Sequence, residues 1–326
     1  MARLNIVEAI DQALQQEMQA DPWMVIMGED VGKDGGVFRV TDGLSERFGT
    51  DRVIDTPLAE SGIVGMAIGM AIAGYHPVAE IQFFGFSYPA YDQLVSHASR
   101  MRNRSRGALT VPLVVRMPYG GGIRALEHHS ESMEAVYAHV PGLKVVIPSD
   151  PYQAKGLLLA SIRDPDPVIF LEPARIYRAI KTEVPDAPYV IPLGKAEVMR
   201  EGSDITVVTW GAHVRTCKEA AARLEADGRY SVEVVDVRSL SPFDHETVVS
   251  SVKKTGRAVV VHEAPRTGGF GAEISAQIAE RAILSLKAPV RRVTGFDTMP
   301  PLAKLEDYYQ PSVDLVVDEI ISVMEF

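Results

Sequence analysis

Apolar residues in this chain gather into short dense runs, separated by longer stretches with helical spacing. Residues 78–81, 111–115, 144–147 and 168–171 are rich in β-branched side chains and lack polar alternation, the pattern of strands buried on both faces of a parallel sheet. Between them, residues 88–104 and 152–163 have the length of helices, and the second opens just after Pro151, where a proline's fixed φ and missing N–H suit a first turn. Near the N-terminus, Asn5 is followed by Glu8 and then by Ile10, Leu14 and Met18, which predicts an amphipathic helix closed by a capping box. A short apolar run at 24–27 follows. Strands alternating with helices make the expected fold class α/β.

The rhythm lapses between 173 and 193, where Pro185, Pro188 and Pro192 fall close together, a composition of ordered but irregular connections. It then restarts, with strand-like runs at 205–210, 232–237, 258–262 and 290–293 and helical stretches at 212–226, 245–253 and 272–286. Two α/β domains are expected: residues 1–185, a linker at 186–200, and a smaller domain at 201–326. A chain of 326 residues has ample length to bury both cores.

Composition narrows the function. With 46% hydrophobic and 23% charged residues the chain is globular, and a net charge of −10 without any long Lys/Arg run argues against a nucleic-acid partner. Cys217 is the only cysteine, so no intrachain disulfide or multi-cysteine metal cluster can form, which fits a reducing compartment. The most apolar stretch, 63–73, is about 11 residues long, short of the roughly 20 needed to span a bilayer. No signal peptide precedes the first helix, and the expected location is cytoplasmic, with no membrane partner.

Several segments carry candidate chemistry. Asp55-Thr56-Pro57-Leu58-Ala59-Glu60-Ser61-Gly62 sets a carboxylate between a strand end and a helix of small and apolar residues. Glu60 has two readings: a charge compensating the helix dipole, or an acid facing an apolar pocket, where it exchanges a proton with a bound heterocycle. In the helix that follows, Gly62, Gly65 and Gly69 flatten one face, for tight packing on its own sheet or against another domain or subunit. Gln82-Phe83-Phe84-Gly85-Phe86 could sandwich a planar ring or serve as core. Asp92, beyond it, has a solvated surface as its default. Three glycines, Gly120-Gly121-Gly122, lead into a loop with His128-His129. Neighbouring imidazoles rarely converge on one metal ion, so acid/base work is the better reading, with a solvated pair as the alternative. The run Arg266-Thr267-Gly268-Gly269-Phe270-Gly271 lacks the full dinucleotide spacing, and Cys217 has no nucleophile signature around it.

Taken together, Gly28-Glu29-Asp30-Val31-Gly32, the segments at 55–62 and 80–86, and the His129-Ser130 loop resemble the beta subunits of thiamin-diphosphate-dependent 2-oxo acid dehydrogenases. The resemblance covers essentially the whole chain, including the 164–167 turn, Gly194-Lys195-Ala196 and Thr255-Gly256-Arg257. It implies a pyrimidine-binding domain followed by a transketolase C-terminal-type domain, and an α2β2 heterotetramer with an alpha subunit. It also implies a reaction in which a 2-oxo acid is decarboxylated and its acyl group passes to the lipoyl domain of a dihydrolipoyl acyltransferase, whose subunit-binding domain holds the complex.

By the same resemblance, Glu60 hydrogen-bonds the aminopyrimidine of thiamin diphosphate and His129 serves acyl transfer, while Glu29, Gln82 and Phe86 lie at the cofactor. Glu29 and Asp92 match acids of a proton path between two active sites. Leu113, Ser161, Asp164 and Asp166 match backbone-carbonyl ligands of a monovalent cation, potassium, although Pro165 departs from the common pattern in that turn. His128 beside His129 is a further variation, and it leaves open which imidazole acts. Magnesium is expected, but the Gly-Asp-Gly turn that commonly holds it is absent here, which places its ligands on the alpha subunit. The 82–86 stretch is closer to members acting on pyruvate than to those acting on branched-chain 2-oxo acids, which stay open together with acetoin. A silent assembly subunit and a stand-alone transketolase-like enzyme are the readings from other classes.

Overall fold

The strand-forming runs of the first half close into an all-parallel sheet with helices between its strands. A computed structural model describes all 326 residues. They divide into two units: Met1–Tyr119 with Val136–Leu193, and Gly120–Ala135 with Gly194–Phe326. In the first unit the strands are β1 (Ala2–Leu4), β2 (Met24–Gly28), β3 (Val53–Asp55), β4 (His76–Glu80), β5 (Val114–Tyr119), β6 (Lys144–Val146), β7 (Val168–Pro173) and β8 (Thr182–Val184). Within this unit the strands of the main sheet lie in the order β6-β7-β5-β4-β2-β3, and β1 and β8 form a separate antiparallel pair. Nearly every residue of β2, β4, β5 and β7 is buried, which explains why these strands read as continuous apolar runs.

Helix Ile6–Ala20 begins with the expected capping box: the Glu8 N–H donates to Asn5 Oδ1 at 3.0 Å and the Asn5 N–H donates to Glu8 Oε2 at 2.7 Å. Its apolar side packs against helix Pro151–Ile162, which is capped by Asp150. The fully buried Lys155 in that helix donates to Gln12 Oε1 at 2.8 Å and to the carbonyls of Pro185 (2.6 Å), Asp186 (3.3 Å) and Ala187 (3.2 Å). One ammonium thereby orders the proline-rich connection.

Two local expectations change. The strand expected at 111–115 begins at Val114 and continues to Tyr119. Pro112 offers no ladder N–H, and Arg116 stays in the strand because buried carboxylates neutralise it. The helix expected at 88–104 is irregular: Phe84–Ala90 is 3-10, Gln93–His97 a π turn, Ala98–Arg100 3-10 again, and only Met101–Arg104 α-helical. Pro89 lies inside the first segment, where it supplies no helix N–H.

The second unit contains β9 (Glu197–Arg200), β10 (Ile205–Thr209), β11 (Val232–Asp236), β12 (Ser239–Ser241), β13 (Ala258–Pro265) and β14 (Arg291–Gly295). Its sheet has the order β14-β13-β10-β11-β9, parallel except for the antiparallel edge strand β9. The apolar pattern left β9 without an element, because each of its residues is at least partly accessible. Helices His213–Ala226 and Val313–Met324 share a core with the sheet, built from residues such as Ile205, Val207, Leu224, Val259, Val316 and Ile320. Cys217 lies in that core, and burial pushes its thiol up to about 12, which makes it inert packing.

Candidate functional site

Sheet register assembles the first candidate site. Gly28 of β2 pairs with Asp55 of β3 on one side and Glu80 of β4 on the other, and Glu80 pairs with Arg116 of β5. The chain therefore leaves these strands at one common level, sending Glu29, the 56–60 segment and Gln82 to the same carboxyl edge. Because β2 lies between β3 and β4, successive connections diverge to opposite sides there, the position where open α/β sheets bind ligands.

Glu60 is the first residue of helix Glu60–Ile72 and is half-buried. No side chain caps that helix, so the N–H groups and dipole of its first turn favour a carboxylate at this point. Glu29 titrates above the usual carboxylate range, first because it is partly desolvated and then because Asp30 and Glu60 repel its charge. The Thr56 N–H donates to the Gly28 carbonyl at 2.9 Å, while its buried hydroxyl has no protein partner. Asp55 accepts from the N–H groups of Gly32 (2.6 Å) and Lys33 (3.1 Å), fixing the loop beyond Glu29.

An aromatic wall stands beside these groups. Phe83 meets Phe86 edge-to-face at 5.5 Å and Phe38 at 5.6 Å, and Gln82 is half-buried next to it in sequence. A titratable carboxylate pair, an unpartnered hydroxyl and flat apolar rings make a set that can hold a planar nitrogen heterocycle and exchange a proton with it.

Below that edge lies a charge cluster that the sequence reading missed. Arg116, buried in β5, donates to Glu172 of β7 through two parallel bonds of 2.7 and 2.8 Å and also to Glu80 of β4. Burial opposes the charge of Arg116, but Glu172 and Glu80 outweigh it and raise its pKa. The Glu80 carboxyl is pushed up, by burial first, despite Arg116. The signal was present in the sequence: Glu80 and Arg116 are charges inside otherwise apolar strands.

The remaining expected residues are dispersed. Asp92 is exposed and accepts from Ser96 Oγ at 2.7 Å. Ser161, Asp164 and Asp166 belong to one hydrogen-bonded turn, and Leu113 meets the strand that follows it. The Leu113 carbonyl accepts from the Val168 N–H at 2.9 Å, and that of Ser161 accepts from the Asp164 N–H at 3.2 Å. Asp164 Oδ1 accepts from the Asp166 N–H at 2.9 Å. Asp164 also pairs with Lys144 at 2.6 Å and Asp166 with Arg102 at 2.6 Å. No three His, Cys, Asp or Glu side chains form a metal-binding group.

His128 and His129 belong to the second unit, in a 3-10 turn at Glu127–His129. His128 is exposed, with Nδ1 3.8 Å from Glu131 Oε1, whereas His129 is half-buried. Glu131, Ser132 and Met133 of this loop line a cavity of about 550 Å³, opposite Pro265, Met299 and Tyr309. Beneath the loop, buried Glu134 accepts from Trp210 Nε1 at 3.1 Å, and burial pushes its carboxyl up to about 8. Burial likewise holds the nearby His262 down at about 3, with His213 and Arg292 adding repulsion.

Comparison with known proteins also divides the chain in two, with residues 120–135 of the second unit falling inside the first match. Residues 2–179 match the family model described as transketolase, pyrimidine binding domain, and residues 194–316 that described as transketolase, C-terminal domain. The chain is 56% identical over 316 residues, 97% of this chain and 96% of the relative, to a protein of Acholeplasma laidlawii named pyruvate dehydrogenase E1 component subunit beta. It is 50% identical over 326 residues, all of both chains, to proteins of the same name from Staphylococcus epidermidis and Staphylococcus aureus. Among solved structures it is similar, with a TM-score of 0.80, 24% identity and 99% of each chain covered, to a split-gene transketolase described as an inactive beta4 tetramer. That likeness is one of fold.

Proposed function

The chain belongs to the family of pyruvate dehydrogenase E1 component beta subunits, and on that footing we propose that it supplies the pyrimidine-facing half of a thiamin-diphosphate site. The complete enzyme decarboxylates pyruvate and transfers the acetyl group to the lipoyl group of a dihydrolipoyl acyltransferase. The observation that carries this reading is the register of β2, β3 and β4, which brings Glu29, Thr56, Glu60 and Gln82 to one edge.

The donor set there fits an aminopyrimidine. The unpartnered Thr56 hydroxyl and the Glu29 carboxyl, held above its usual range, leave polar capacity unused, and a ring bearing both a donor and an acceptor would take it up. Bound thiamin diphosphate supplies the thiazolium carbon that adds to the 2-oxo group. Glu60 would hold a proton at the ring nitrogen, while Gln82 and Phe86 would orient the ring and Phe83 would exclude water behind it. Glu29 and Asp92 form part of the path along which protons move between the paired sites. In the second unit, His129 would donate a proton to the lipoyl sulfur released as the disulfide opens and its other sulfur takes the acyl group.

The rest of the site is assigned to an alpha subunit in an α2β2 assembly. The chain has no Gly-Asp-Gly turn, so magnesium and the diphosphate are placed on that partner. Helix Glu60–Ile72 supports a close subunit contact: Gly62, Met66 and Gly69 are exposed, and the Gly69 position has open space around it. The carbonyls of Leu113, Ser161, Asp164 and Asp166 are assigned to potassium, since a carbonyl already accepting one N–H keeps a second lone pair. An acidic chain suits the basic subunit-binding domain of the acyltransferase.

Glu60→Gln tests the reading in the complex co-expressed with its alpha subunit. Pyruvate-dependent reduction of 2,6-dichlorophenolindophenol should fall by about 10²-fold or more, with assembly and thiamin diphosphate binding retained. Near wild-type turnover in an intact complex would show the chain to be an assembly subunit instead.

A further inference from the structure

The Gly120-Gly121-Gly122 lead reads in sequence as a flexible approach to the histidine loop, but the second unit gives these glycines another purpose. Glu306, 3% exposed, accepts from the Gly122 N–H at 2.6 Å through one oxygen and from the Arg124 N–H at 3.0 Å through the other. Glu263, 4% exposed, accepts from the Gly121 N–H at 3.3 Å. The side chain of Arg124 adds a bond to Asp307 at 3.0 Å. A Cβ at Gly120, where φ is +82°, would collide with the Glu263 carboxylate, and one at Gly121 would come within 3.0 Å of Glu306 Oε1. The glycines are therefore small so that two buried carboxylates can reach the backbone.

These carboxylates are committed to their partners. Burial pushes Glu263 up, but His213, Gln310 and the Gly121 N–H outweigh it and hold the carboxyl below the usual range. Charge-assisted bonds from carboxylate to backbone N–H are shorter and stronger than neutral ones. Further along the loop, Glu134 is fastened by the Trp210 indole. The segment carrying His128 and His129 is thus tied down at both ends by side chains of its own unit.

We propose that Glu263 and Glu306 are positioning residues for acyl transfer, clamping the backbone of 121–124 so that His129 is presented at a fixed height above the second unit. The inference rests on the reading of His129 as the proton donor to the lipoyl sulfur. Neither carboxylate touches the reacting atoms; both act through the loop. Glu306→Gln keeps the size of the side chain but sets an NH2 group against one of the two N–H donors, which breaks half of the clamp.

The test uses the assembled complex with its alpha subunit. In Glu306→Gln, hydrogen exchange of the loop amides at 122 and 124 should accelerate by about tenfold, the scale of one lost charge-assisted bond, while β10 and β13 keep wild-type protection. Reductive acylation of a free lipoyl domain should fall roughly tenfold further than decarboxylation read with 2,6-dichlorophenolindophenol, because the misplaced group serves only the second half-reaction. Glu306→Asp, which keeps the charge, should restore part of the difference, and Glu263→Gln should reproduce it. Unchanged exchange in the loop, exchange raised equally throughout the second unit, or an equal fall in both half-reactions would overturn the proposal. His129→Ala is measured alongside. If it lowers both half-reactions equally, the reading of His129 fails on its own, whereas the exchange data judge the clamp separately.

Discussion

Replacing Arg116 by Met should unfasten the sheet beneath the candidate site. The guanidinium is 1% exposed and makes two bonds to Glu172 and one to Glu80, so it joins β4, β5 and β7 across their ladders. Methionine fills a comparable volume but leaves two buried carboxylates facing one another. Removing one partner of a buried ion pair costs about 3–5 kcal/mol, most of it the penalty of the uncompensated charge. With two carboxylates left behind, the upper end applies at alkaline pH. In the variant, at least one of them must take up a proton in the folded state, which raises its folded pKa above the unfolded value near 4.5. Stability contributed by such a group is present below the unfolded pKa and is lost as pH rises through the folded one, by about 1.4 kcal/mol per pH unit between them.

The deficit of Arg116→Met relative to wild type should therefore be about 3–5 kcal/mol at pH 8 and smaller by roughly 2 kcal/mol at pH 5.5. Hydrogen exchange of peptides from β4, β5 and β7 in increasing urea gives the opening free energy of this sheet without assuming that both units unfold together. Adding Glu80→Gln and Glu172→Gln to Arg116→Met should recover at least half of the loss, since neutral amides remove the stranded charges. A deficit below about 1 kcal/mol, or one independent of pH, would refute the reasoning.

Two further outcomes are expected. Glu134→Gln should gain stability on wild type as pH rises from about 5 to 8, by roughly 1 kcal/mol per unit. The native carboxyl sits at about 8 and must lose its proton over that range or stay protonated while the unfolded chain ionises; a pH-independent difference in denaturation midpoint would contradict this. Lys155→Met should leave the carbonyls of Pro185, Asp186 and Ala187 without their shared donor, at about 2–4 kcal/mol locally. Limited proteolysis should then cut near 185–187 faster than in wild type, and an unchanged rate there would count against Lys155 as the tether.

Much of the architecture could be read from the sequence because strands buried on both faces are continuous in their apolarity. The runs at 144–147, 168–171, 205–210 and 232–237 became β6, β7, β10 and β11 within a residue or two at each end. The failures have physical causes. The apolar pattern stopped at Val115 because a lone charge does not belong in a buried strand, yet Glu80 and Glu172 make Arg116 admissible and β5 runs on to Tyr119. Edge strand β9 has no buried face to signal it. Glu60 could be singled out locally, since a strand end, a carboxylate and a small-residue helix are contiguous. The partners of the histidine loop could not, because Gly122 and Glu306 are 184 positions apart and only the fold joins them.

On the proposed function, the character of the sheet edge also bears on why this chain would hold half a site and not a whole one. Glu29, Asp30, Asp55, Glu60 and Glu80 all lie on or just beyond the ends of β2, β3 and β4. The cation closest to them along the ladder, Arg116, is already held by Glu80 and Glu172, and at Lys33 it is the backbone N–H that binds Asp55. A concentration of acids suits a heterocycle that must be protonated and deprotonated, because it stabilises positive charge on the ring. The same field repels a diphosphate, at about 1 kcal/mol per pair of like charges 4 Å apart in water and more where water is excluded. One edge cannot favour both ends of thiamin diphosphate by electrostatics, so the anionic end calls for cations and N–H donors on a different surface. Dividing the cofactor between two chains, as proposed, would resolve that conflict, and an acidic edge on this one is what such a division requires.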